Sequence, residues 1–374
     1  MEGLVNFNLQ EVSPAIIKVI GVGGGGCNAV EYMYSKKICD VDFVICNTDA
    51  QVLESRIPVK IHLGKKLTEG LGAGNNPEVG AQAALESVAE IEAMLRKNTK
   101  MAFVTAAMGG GTGTGAAPIV AKMAKELGIL TIGIVSFPAR FEGPKRLNQA
   151  KEGLKNMKEH VDCLLVIDSE KIMEIYDSLE LPEAFAKANE VLNIAAKGIA
   201  EIITLPGYIN VDFSDVRTVM TDSGVAVMGA ARAAGEGRAR KAIEEALDSP
   251  LLNNSDIRGA KDILLNITSG TDEIRTSELT EITSYVIRQV GDTASVIWGV
   301  GVDESLGNAI SVTIIATGFP KDDMDFQGQA PGEEGEKPLL SAEEVLLKPG
   351  LSAVRLEELK SEPAYNRRRN VKVI

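Results

Sequence analysis

The chain has 374 residues, of which 45% are hydrophobic and 24% are charged, and these values exclude a wholly disordered or collagen-like protein. At roughly 150 residues per domain, this length predicts two globular domains. The net charge of 39 − 52 = −13 argues against a basic nucleic-acid binder. With two histidines and four scattered cysteines, we expect reduced thiols, no zinc centre and no Ser-His-Asp triad.

Residues 16–168 alternate short β-branched runs with helical segments, which predicts an α/β domain with a mostly parallel sheet covered by helices. Strands are predicted at Ile16–Gly21, Phe43–Asn47, Met101–Ala106, Leu130–Ser136 and Cys163–Ile167. Helices are predicted at Asn28–Lys36, Pro77–Lys97 and Pro118–Leu127.

A long helix of about 24 residues is predicted from Leu181 to about Leu205, because apolar residues recur there at three- and four-residue steps. These residues are Phe185, Ala188, Val191, Leu192, Ala195, Ile199 and Ile202. Beyond this helix, a second α/β or α+β domain is predicted from strands at Asp262–Ile267, Ala294–Val300 and Ile310–Ala316 and helices at Gly237–Asp248 and Thr276–Gln289.

The composition changes at Phe319. Residues 319–354 contain four Pro, four Gly, eight acidic and three basic residues, which predicts a flexible acidic linker. Residues 355–374 carry six bases and three acids, a net charge of +3, and this reversal of charge suggests a docking tail.

Two glycine-rich segments each stand between a predicted strand and a helix. Gly21–Gly26 satisfies the G-x-G-x-x-G pattern, and Gly109–Gly115 reads GGGTGTG. Together they predict two backbone grips on a polyphosphate, with tight turns that bind no ligand as the alternative. Neither segment ends in Gly-Lys-Ser/Thr, which excludes the P-loop class. A third segment, Gly70–Pro77, offers more backbone amides, and its alternative is a surface loop capped by Asn76.

In this order the motifs resemble the tubulin/FtsZ family. The GGGTGTG signature is common to tubulin and FtsZ, while Asn47–Gln51, Phe141–Arg146 and Asn210–Asp215 resemble FtsZ in particular. The resemblance covers roughly residues 16–318. It implies the tubulin/FtsZ fold, with a Rossmann-like GTPase domain joined by the long helix to the smaller C-terminal domain. It also implies that GTP is hydrolysed to GDP and phosphate during polymerisation, in the filaments of the bacterial division ring.

This resemblance also predicts the domain boundaries. They are an N-terminal extension at residues 1–15, a GTP-binding domain at 16–181, a central helix and the start of a catalytic loop at 182–209, a C-terminal domain at 210–318 with its catalytic loop at 207–215, the acidic linker at 319–354 and a partner-binding tail at 355–374.

The resemblance assigns the nucleotide site residue by residue. The first phosphate loop comprises Gly23, Gly24, Gly25, Gly26, Cys27 and Asn28, and the signature loop comprises Gly109, Gly110, Gly111, Thr112, Gly113, Thr114 and Gly115. Asn47, Asp49, Gly72, Ala73, Gly74 and Asn75 are expected near the terminal phosphate and its metal, Pro138, Glu142 and Arg146 near the ribose and its phosphate, and Asn189 at the guanine. An ordinary Glu142–Arg146 ion pair and a merely polar Asn189 are the alternatives. Mg²⁺ is expected to be held mainly by the phosphates, because no carboxylate cage is evident.

The catalytic residues implied by the resemblance are Asn210, Asp212 and Asp215, which would enter the pocket of the next subunit and position the attacking water. Geometry supports this, because about 21 helical residues at 1.5 Å each place Asn189 and Asp212 about 30 Å apart. A head-to-tail contact of this kind does not close and generates a filament. Without the resemblance, Asp212 and Asp215 are typical of helix-capping carboxylates.

Copies of the chain are therefore the main expected partner, and the tail segment Glu362–Arg369 resembles the FtsZ peptide that binds membrane tethers and division regulators. A disordered basic end is the alternative for the tail. No nucleic-acid partner is expected, because the net charge is −13. No membrane insertion is expected, because there is no apolar run of bilayer length and no cationic leader. We expect a cytoplasmic protein at the mid-cell division ring.

Two departures from the family pattern concern the site. Asp168-Ser169-Glu170 stands where Pro-Asn-Asp is usual, and Cys27 replaces the usual Gly or Asn. Two other functions were weighed. A nicotinamide-dependent oxidoreductase would need an acidic residue at the end of the second strand, which this chain lacks. A filament protein that does not hydrolyse nucleotide would predict the loss of Asp212 or Asp215, and both are present.

Overall fold

The computed structural model describes residues 15–36, 38, 40–204, 207–249, 257–291 and 294–319. The predicted N-terminal extension up to residue 14, the acidic linker beyond Phe319 and the basic tail lie outside the described residues. Within these ranges, no helix combines the length and the apolar character needed to cross a membrane.

The first half of the chain alternates strands and helices, as predicted. Its elements are β1 (Ile17–Val22), α1 (Gly23–Ser35), β2 (Val41–Asn47), β3 (Val59–His62), α2 (Lys65–Thr68), α3 (Pro77–Glu86), α4 (Val88–Leu95), β4 (Met101–Ala107), α5 (Thr112–Glu126), β5 (Leu130–Phe137), α6 (Pro144–His160), β6 (Cys163–Asp168) and α7 (Ser169–Ile175). A short 3-10 helix, Arg140–Glu142, precedes α6.

The second half begins with the predicted long helix and continues into a mixed sheet. Its elements are α8 (Leu181–Thr204), β7 (Gly207–Ile209), α9 (Phe213–Met220), β8 (Gly224–Ala234), α10 (Arg238–Leu247), β9 (Asp262–Ser269), α11 (Thr276–Val290), β10 (Ser295–Val302) and β11 (Ala309–Thr317). A further 3-10 helix, Glu304–Leu306, lies between β10 and β11.

The strands run in the order β3-β2-β1-β4-β5-β6-β8-β11-β9-β10-β7. From β3 to β6 every pairing is parallel. Strand β8 joins the two parts, because Gly224–Ala226 pair in parallel with β6 whereas its later residues pair antiparallel with β11. The C-terminal part therefore mixes parallel and antiparallel pairs.

The parallel sheet contains a point at which the strand order reverses, between β1 and β4. The chain leaves β1 through α1 toward β2, and leaves β4 through α5 in the opposite direction toward β5. Right-handed crossovers therefore place α1 and α5 on opposite faces of the sheet. Such a reversal opens a crevice at the carboxyl ends of the strands, where ligands of α/β proteins bind.

Helix α8 packs its apolar stripe into the core together with α1 and the parallel sheet. The predicted members Val191, Leu192, Ala195, Ile199 and Ile202 are buried. The stripe does not include Phe185, which is 46% exposed although its neighbour Ala184 is buried, so Phe185 lies on a more exposed face of the helix. A second core lies beneath α10 and α11.

Three predicted helix boundaries were wrong. Helix α1 begins at Gly23 and not at Asn28, and α5 begins at Thr112 and not at Pro118, because the chain turns into each helix directly from the glycines after the strand. The predicted helix Pro77–Lys97 is two helices separated at Ser87. The Ser87 hydroxyl accepts a hydrogen bond from the Gly64 backbone N–H at 3.0 Å.

Helices α2, α6, α7 and α9 and strands β3, β7 and β8 were not predicted. Helix α6 buries a stripe of just four residues beneath a highly charged surface, so its periodicity is weak. Strand β8 reads GVAVMGAARAA, and its many Gly and Ala residues have little intrinsic strand preference. Its backbone hydrogen bonds to β6 and β11 therefore make it a strand, although its composition does not predict one.

Candidate functional site

The first two glycine loops meet at the reversal point of the sheet. Gly23 has φ +74°, and a Cβ built on it would lie 2.7 Å from the backbone nitrogen of Gly113. The third loop joins them, because a Cβ on Gly111 would lie 2.9 Å from both the Cβ of Ala73 and the nitrogen of Asn76. Any side chain at these two glycines would separate the loops, so glycine is required for the three segments to touch.

The segment after β2 is hydrogen-bonded to two of these loops. The Thr48 and Thr112 hydroxyl oxygens lie 2.7 Å apart. The Gly72 N–H donates to the Thr48 carbonyl at 3.2 Å, and the Ala50 N–H donates to the Gly70 carbonyl at 3.1 Å. Four segments that are distant in sequence therefore form one continuous cradle of backbone. The sequence motifs did not single out Thr48.

Two predicted site residues, Asn47 and Cys27, lie beneath this cradle. Their side chains are buried, and the Asn47 amide donates to the Cys27 sulfur at 3.8 Å. The Asn47 Oδ1 also accepts from the Asp49 N–H at 3.3 Å. Burial raises the pKa of the Cys27 thiol to about 12, so the thiol is protonated and inert at neutral pH.

Helices α1 and α5 present their N-termini to the cradle without a side-chain cap. Neither has a capping hydrogen bond from a side chain or an acidic residue in its first turn. In contrast, α3, α7 and α9 are capped by Asn76, Asp168 and Asp212. The first backbone N–H groups of a helix lack partners within the helix and carry partial positive charge. Two such ends at one crevice have the chemistry that suits a multiply charged anion.

The remaining predicted phosphate-loop residues belong to the same segments. Gly24, Gly25, Gly26 and Asn28 are in the first turns of α1, Gly110 precedes α5, and Thr114 and Gly115 are in its first turn. The Thr114 hydroxyl accepts from the Gly109 N–H at 2.9 Å. Gly24 is exposed, and a Cβ built on it or on Gly110 would meet no atom within 4 Å.

Glu142 and Arg146 form an ion pair at the rim of the cradle. A Cβ on Gly109 would lie 3.0 Å from the Arg146 carbonyl and 3.3 Å from the Pro138 ring, so both residues adjoin the signature loop. The second Glu142 oxygen accepts from the Ala139 N–H at 3.1 Å. The ion pair that was the alternative for these two residues is therefore present in the structure. It lies beside the cradle, with Arg146 half-exposed.

The third loop is anchored from α6, because the Gln149 amide donates to the Asn75 carbonyl at 3.2 Å. Gly74 has φ +58° and Asn75 has φ +57°. Asn76 accepts from the Glu78 N–H at 3.0 Å, so the cap that belonged to the alternative for this loop is present in the structure.

Helix α8 carries Asn189 in its third turn, half-buried. Phe185 lies one turn earlier on the same face and is 46% exposed. The sequence prediction that Phe185 belongs to the buried stripe is therefore wrong, and the ring lies half-exposed on the face that carries Asn189.

Asp168 is the last residue of β6 and Ser169 the first residue of α7, at the same edge of the sheet as the glycine loops. Asp168 caps α7 and accepts from the Glu170 N–H at 2.9 Å. Burial raises the pKa of the Asp168 carboxyl above its ordinary value. Its cap role accounts for Asp168, and Ser169 begins α7.

The predicted catalytic residues Asn210, Asp212 and Asp215 are all exposed and lie on one loop and the first turn of α9. The Asn210 side-chain oxygen accepts from the Gly207 N–H at 2.7 Å. Asp212 caps α9, accepting from the Asp215 N–H at 2.8 Å. The capping role expected from the residues alone is therefore present, and neither carboxylate is buried.

Helix α9 lies at the edge where strands β5 and β6 begin. Arg217 donates to the carbonyl of Gly128, two residues before β5, at 3.2 Å. Asp212 is five residues from Arg217, or about 7.5 Å along a helix. The glycine loops stand at the other edge, where β1 and β4 end.

The distance between the glycine loops and the predicted catalytic residues follows from strand length. The eight residues of β5 span about 26 Å at about 3.3 Å per residue. The separation of about 30 Å that was predicted along α8 needs correction, because the helix ends at Thr204. From Asn189 to this end it spans about 22 Å at 1.5 Å per residue. The sheet, not the helix alone, keeps Asp212 and Asp215 away from the cradle of the same chain.

Among the described residues there is no group of three or more His, Cys, Asp or Glu side chains that could hold a metal ion. Asp49 is the carboxylate next to the third loop, with its Cβ 4.0 Å from a Cβ built on Gly72. One of its oxygens accepts from the Gln51 N–H at 2.9 Å. A carboxylate beside the glycine loops, with no group of three potential ligands among the described residues, fits a cation carried mainly by phosphate oxygens.

Two family models match the chain. The GTPase domain of the Tubulin/FtsZ family matches residues 16–177, and the C-terminal domain of the FtsZ family matches residues 224–320. The solved structure of an empty FtsZ dimer from M. jannaschii superposes with a TM-score of 0.76 at 43% identity, covering 81% of this chain and 88% of that chain. The GDP-bound CetZ1 monomer from Haloferax volcanii has a TM-score of 0.72 at 20% identity, covering 82% of this chain and 94% of that one, and shows the fold alone. Fold and cradle thus define a GTPase with the tubulin/FtsZ fold.

Sequence relatives narrow this class. The cell division protein FtsZ of Porphyromonas gingivalis is 49% identical over 323 residues, covering 85% of this chain and 70% of that protein. The cell division protein FtsZ of Coxiella burnetii is 48% identical over 317 residues, covering 84% and 82%. The chain belongs to the FtsZ family, and the predicted resemblance and fold class are confirmed.

Proposed function

We propose that this protein is a GTPase of cell division that assembles head to tail, and that each GTP is hydrolysed between two subunits. One observation carries the proposal. The anion cradle and the exposed carboxylates Asp212 and Asp215 lie at opposite edges of one rigid sheet. A chain can bring both to one nucleotide by stacking a second copy, whose Asp212 and Asp215 then face the cradle of the first.

The exposed apolar residues agree with such stacking. On the cradle side, Leu71 is 86% exposed and Phe141 is 65% exposed, whereas beside the carboxylates Tyr208 is 68% and Ile209 is 40% exposed. Two different surfaces at opposite ends make a heterologous contact, which propagates into a filament instead of closing into a dimer.

The residues divide the chemistry as follows. The N–H groups of α1 and α5 bind the phosphates, with Glu142 and Arg146 toward the ribose and Asn189 toward the base. Asn210, Asp212 and Asp215 of the neighbouring copy orient the attacking water. Phosphoryl transfer to water needs chiefly positioning and charge stabilisation, which these groups supply.

Mg²⁺ fits this site as a companion of the nucleotide, with Asp49 as the protein carboxylate beside it. When bound, the ion neutralises charge on the phosphate oxygens. Beyond the described residues, we propose that the basic tail at 355–374 docks on membrane tethers and regulators of the division ring. The protein would then act in the cytoplasm at mid-cell.

Mixing two inactive variants tests the shared site. Asp212→Ala keeps its cradle, and Gly24→Asp keeps its carboxylates while placing a negative charge at the open first turn of α1. In an equal mixture about a quarter of the heterologous interfaces join a good cradle to good carboxylates. GTPase activity should therefore rise from near zero to about a quarter of the wild-type value. If the two variants co-sediment and activity stays near zero, the shared site is wrong.

A further inference from the structure

The end of helix α5 holds a lysine with three oxygen partners. The Lys125 ammonium lies 2.6 Å from Asp222 Oδ1, 3.2 Å from Asp162 Oδ1 and 3.1 Å from the Val161 carbonyl. Asp222 is in the turn that follows α9, and Asp162 immediately precedes β6. One cation therefore joins α5, the start of β6 and the end of α9.

The anchor beneath this lysine is rigid. The Asp162 side chain is 7% exposed, and its Oδ2 accepts from the Thr131 N–H of β5 at 2.9 Å. Without Lys125, a buried carboxylate would lose its cation, which is strongly unfavourable. Asp222 has φ +50°, a left-handed conformation that Asp adopts more readily than most residues with a side chain.

Arg217 makes a second connection between the same two helices. It lies in α9 and donates to the carbonyl of Gly128, two residues after α5 ends, at 3.2 Å. We call Lys125, Asp162, Asp222 and Arg217 the clasp. It fixes the second half of α9 and the turn after it, and α9 is the short helix whose first turn carries the carboxylates.

We infer that Lys125 and Arg217 are positioning residues for hydrolysis, acting through α9 on the carboxylates that a subunit offers to its neighbour. The inference rests on the proposed function, because it needs the carboxylates to work in another subunit's pocket. Helix α5 thus has two roles at its two ends. Thr112 at its start belongs to the phosphate cradle, and Lys125, about 20 Å along the helix at 1.5 Å per residue, fixes the helix that carries Asp212 and Asp215.

Lys125→Met keeps the aliphatic stem and removes the charge, and Lys122→Met on the same helix is the matched control. Lys122 is exposed and pairs with Glu126 at 3.8 Å, a residue outside the clasp. We expect Lys125→Met to lower kcat at least tenfold, with GTP affinity of the monomer and KM within twofold of the wild type. Lys122→Met should leave all three unchanged. An unchanged kcat in Lys125→Met would overturn the inference.

Complementation shows which half of the site the clasp serves. Lys125→Met mixed with Gly24→Asp should recover about a quarter of wild-type activity, because interfaces form between an intact cradle and intact carboxylates. Lys125→Met mixed with Asp212→Ala should not recover. The reverse pattern would place the effect of Lys125 in its own cradle and overturn the inference.

Two further outcomes are separable. If Lys125→Met fails to fold, Asp222→Asn, whose side chain is 74% exposed, and Arg217→Gln should each lower kcat with KM unchanged and show the same complementation. Normal kcat in both would overturn the inference. The mixture of Gly24→Asp with Asp212→Ala serves as the reference. If that pair does not recover, the proposed shared site fails, and the clasp loses its basis with it.

Discussion

Gly23 and Gly24 are neighbours at the start of α1 whose replacement by alanine should have opposite effects. Gly23 has φ +74°, and its added Cβ would lie 2.7 Å from the Gly113 nitrogen. The left-handed backbone costs about 1–2 kcal/mol and the overpacking about 1–3 kcal/mol. Gly23→Ala should therefore lose roughly 2–5 kcal/mol of unfolding free energy.

Gly24→Ala meets open space and gains up to about 1 kcal/mol from helix propensity. In the proposed site its methyl group would stand where the phosphates approach the first turn of α1, so GTP should bind at least tenfold more weakly. At a GTP concentration of 100 times the wild-type Kd, nucleotide stabilises the wild type by about 2.7 kcal/mol, and a tenfold weaker variant by about 1.4 kcal/mol.

Thermal unfolding with and without GTP measures both effects. Gly24→Ala should unfold at or slightly above the wild-type temperature without nucleotide, and should show about half of the GTP-induced free-energy gain. Gly23→Ala should unfold several degrees lower in either condition. A full GTP shift in Gly24→Ala would refute the placement of phosphate at α1, and a wild-type midpoint in Gly23→Ala would refute the contact between the loops.

Three other predictions concern the described core and its charges. Arg238 is 3% exposed and paired with Glu278, so Arg238→Met should lower the free energy of unfolding by about 3–5 kcal/mol. Arg240→Ala, on the exposed face of the same helix, should barely move the midpoint of urea unfolding. Equal effects of the two substitutions would contradict the buried pairing. The Arg238 hydrogen bond holds the pKa of Glu278 below its ordinary value, so the stabilisation by this pair is present above the ordinary Glu pKa of about 4.3 and is lost as the pH falls through the lower folded value. Glu278→Gln should therefore flatten the loss of stability on acidification below about pH 4.3, and an unchanged slope would count against it. At pH 7 the Cys27 thiol, with its pKa raised to about 12, is about one part in 10⁵ thiolate, so peptide mapping after brief maleimide treatment of native protein should find it unmodified; rapid labelling would show that it is accessible.

The cradle was predictable because its parts follow from a general rule. Glycine-rich turns after parallel strands stand at one edge of a sheet, and the motifs after β1 and β4 therefore had to meet once those strands proved adjacent. The spacing of the motifs could not reveal that Gly23 touches Gly113, or that Thr48 bonds to Thr112. Those contacts depend on the order of strands in space, which local sequence does not encode.

Other features were missed for different physical reasons. The stripe of α8 was correct from Ala188 onward, but three- and four-residue spacing also placed Phe185 in the core, and its side chain is 46% exposed. Strand β8 was missed because it is rich in Gly and Ala, which have little strand preference, and its pairing with β6 and β11 is what makes it a strand. The geometric support for a large separation between the cradle and the carboxylates came from the long helix. The hydrogen bond between Arg217 and the Gly128 carbonyl places α9 at the start of β5, so the length of the sheet sets this separation.

The GTPase rate per chain, measured against protein concentration, tests the shared site most directly. With saturating GTP and Mg²⁺, dilute chains should bind nucleotide and hydrolyse almost none of it, and the rate per chain should rise once light scattering reports filaments. Asp212→Ala should form filaments without that rise. A constant rate per chain from the most dilute sample upward would show that one chain completes the reaction alone, and would contradict the account.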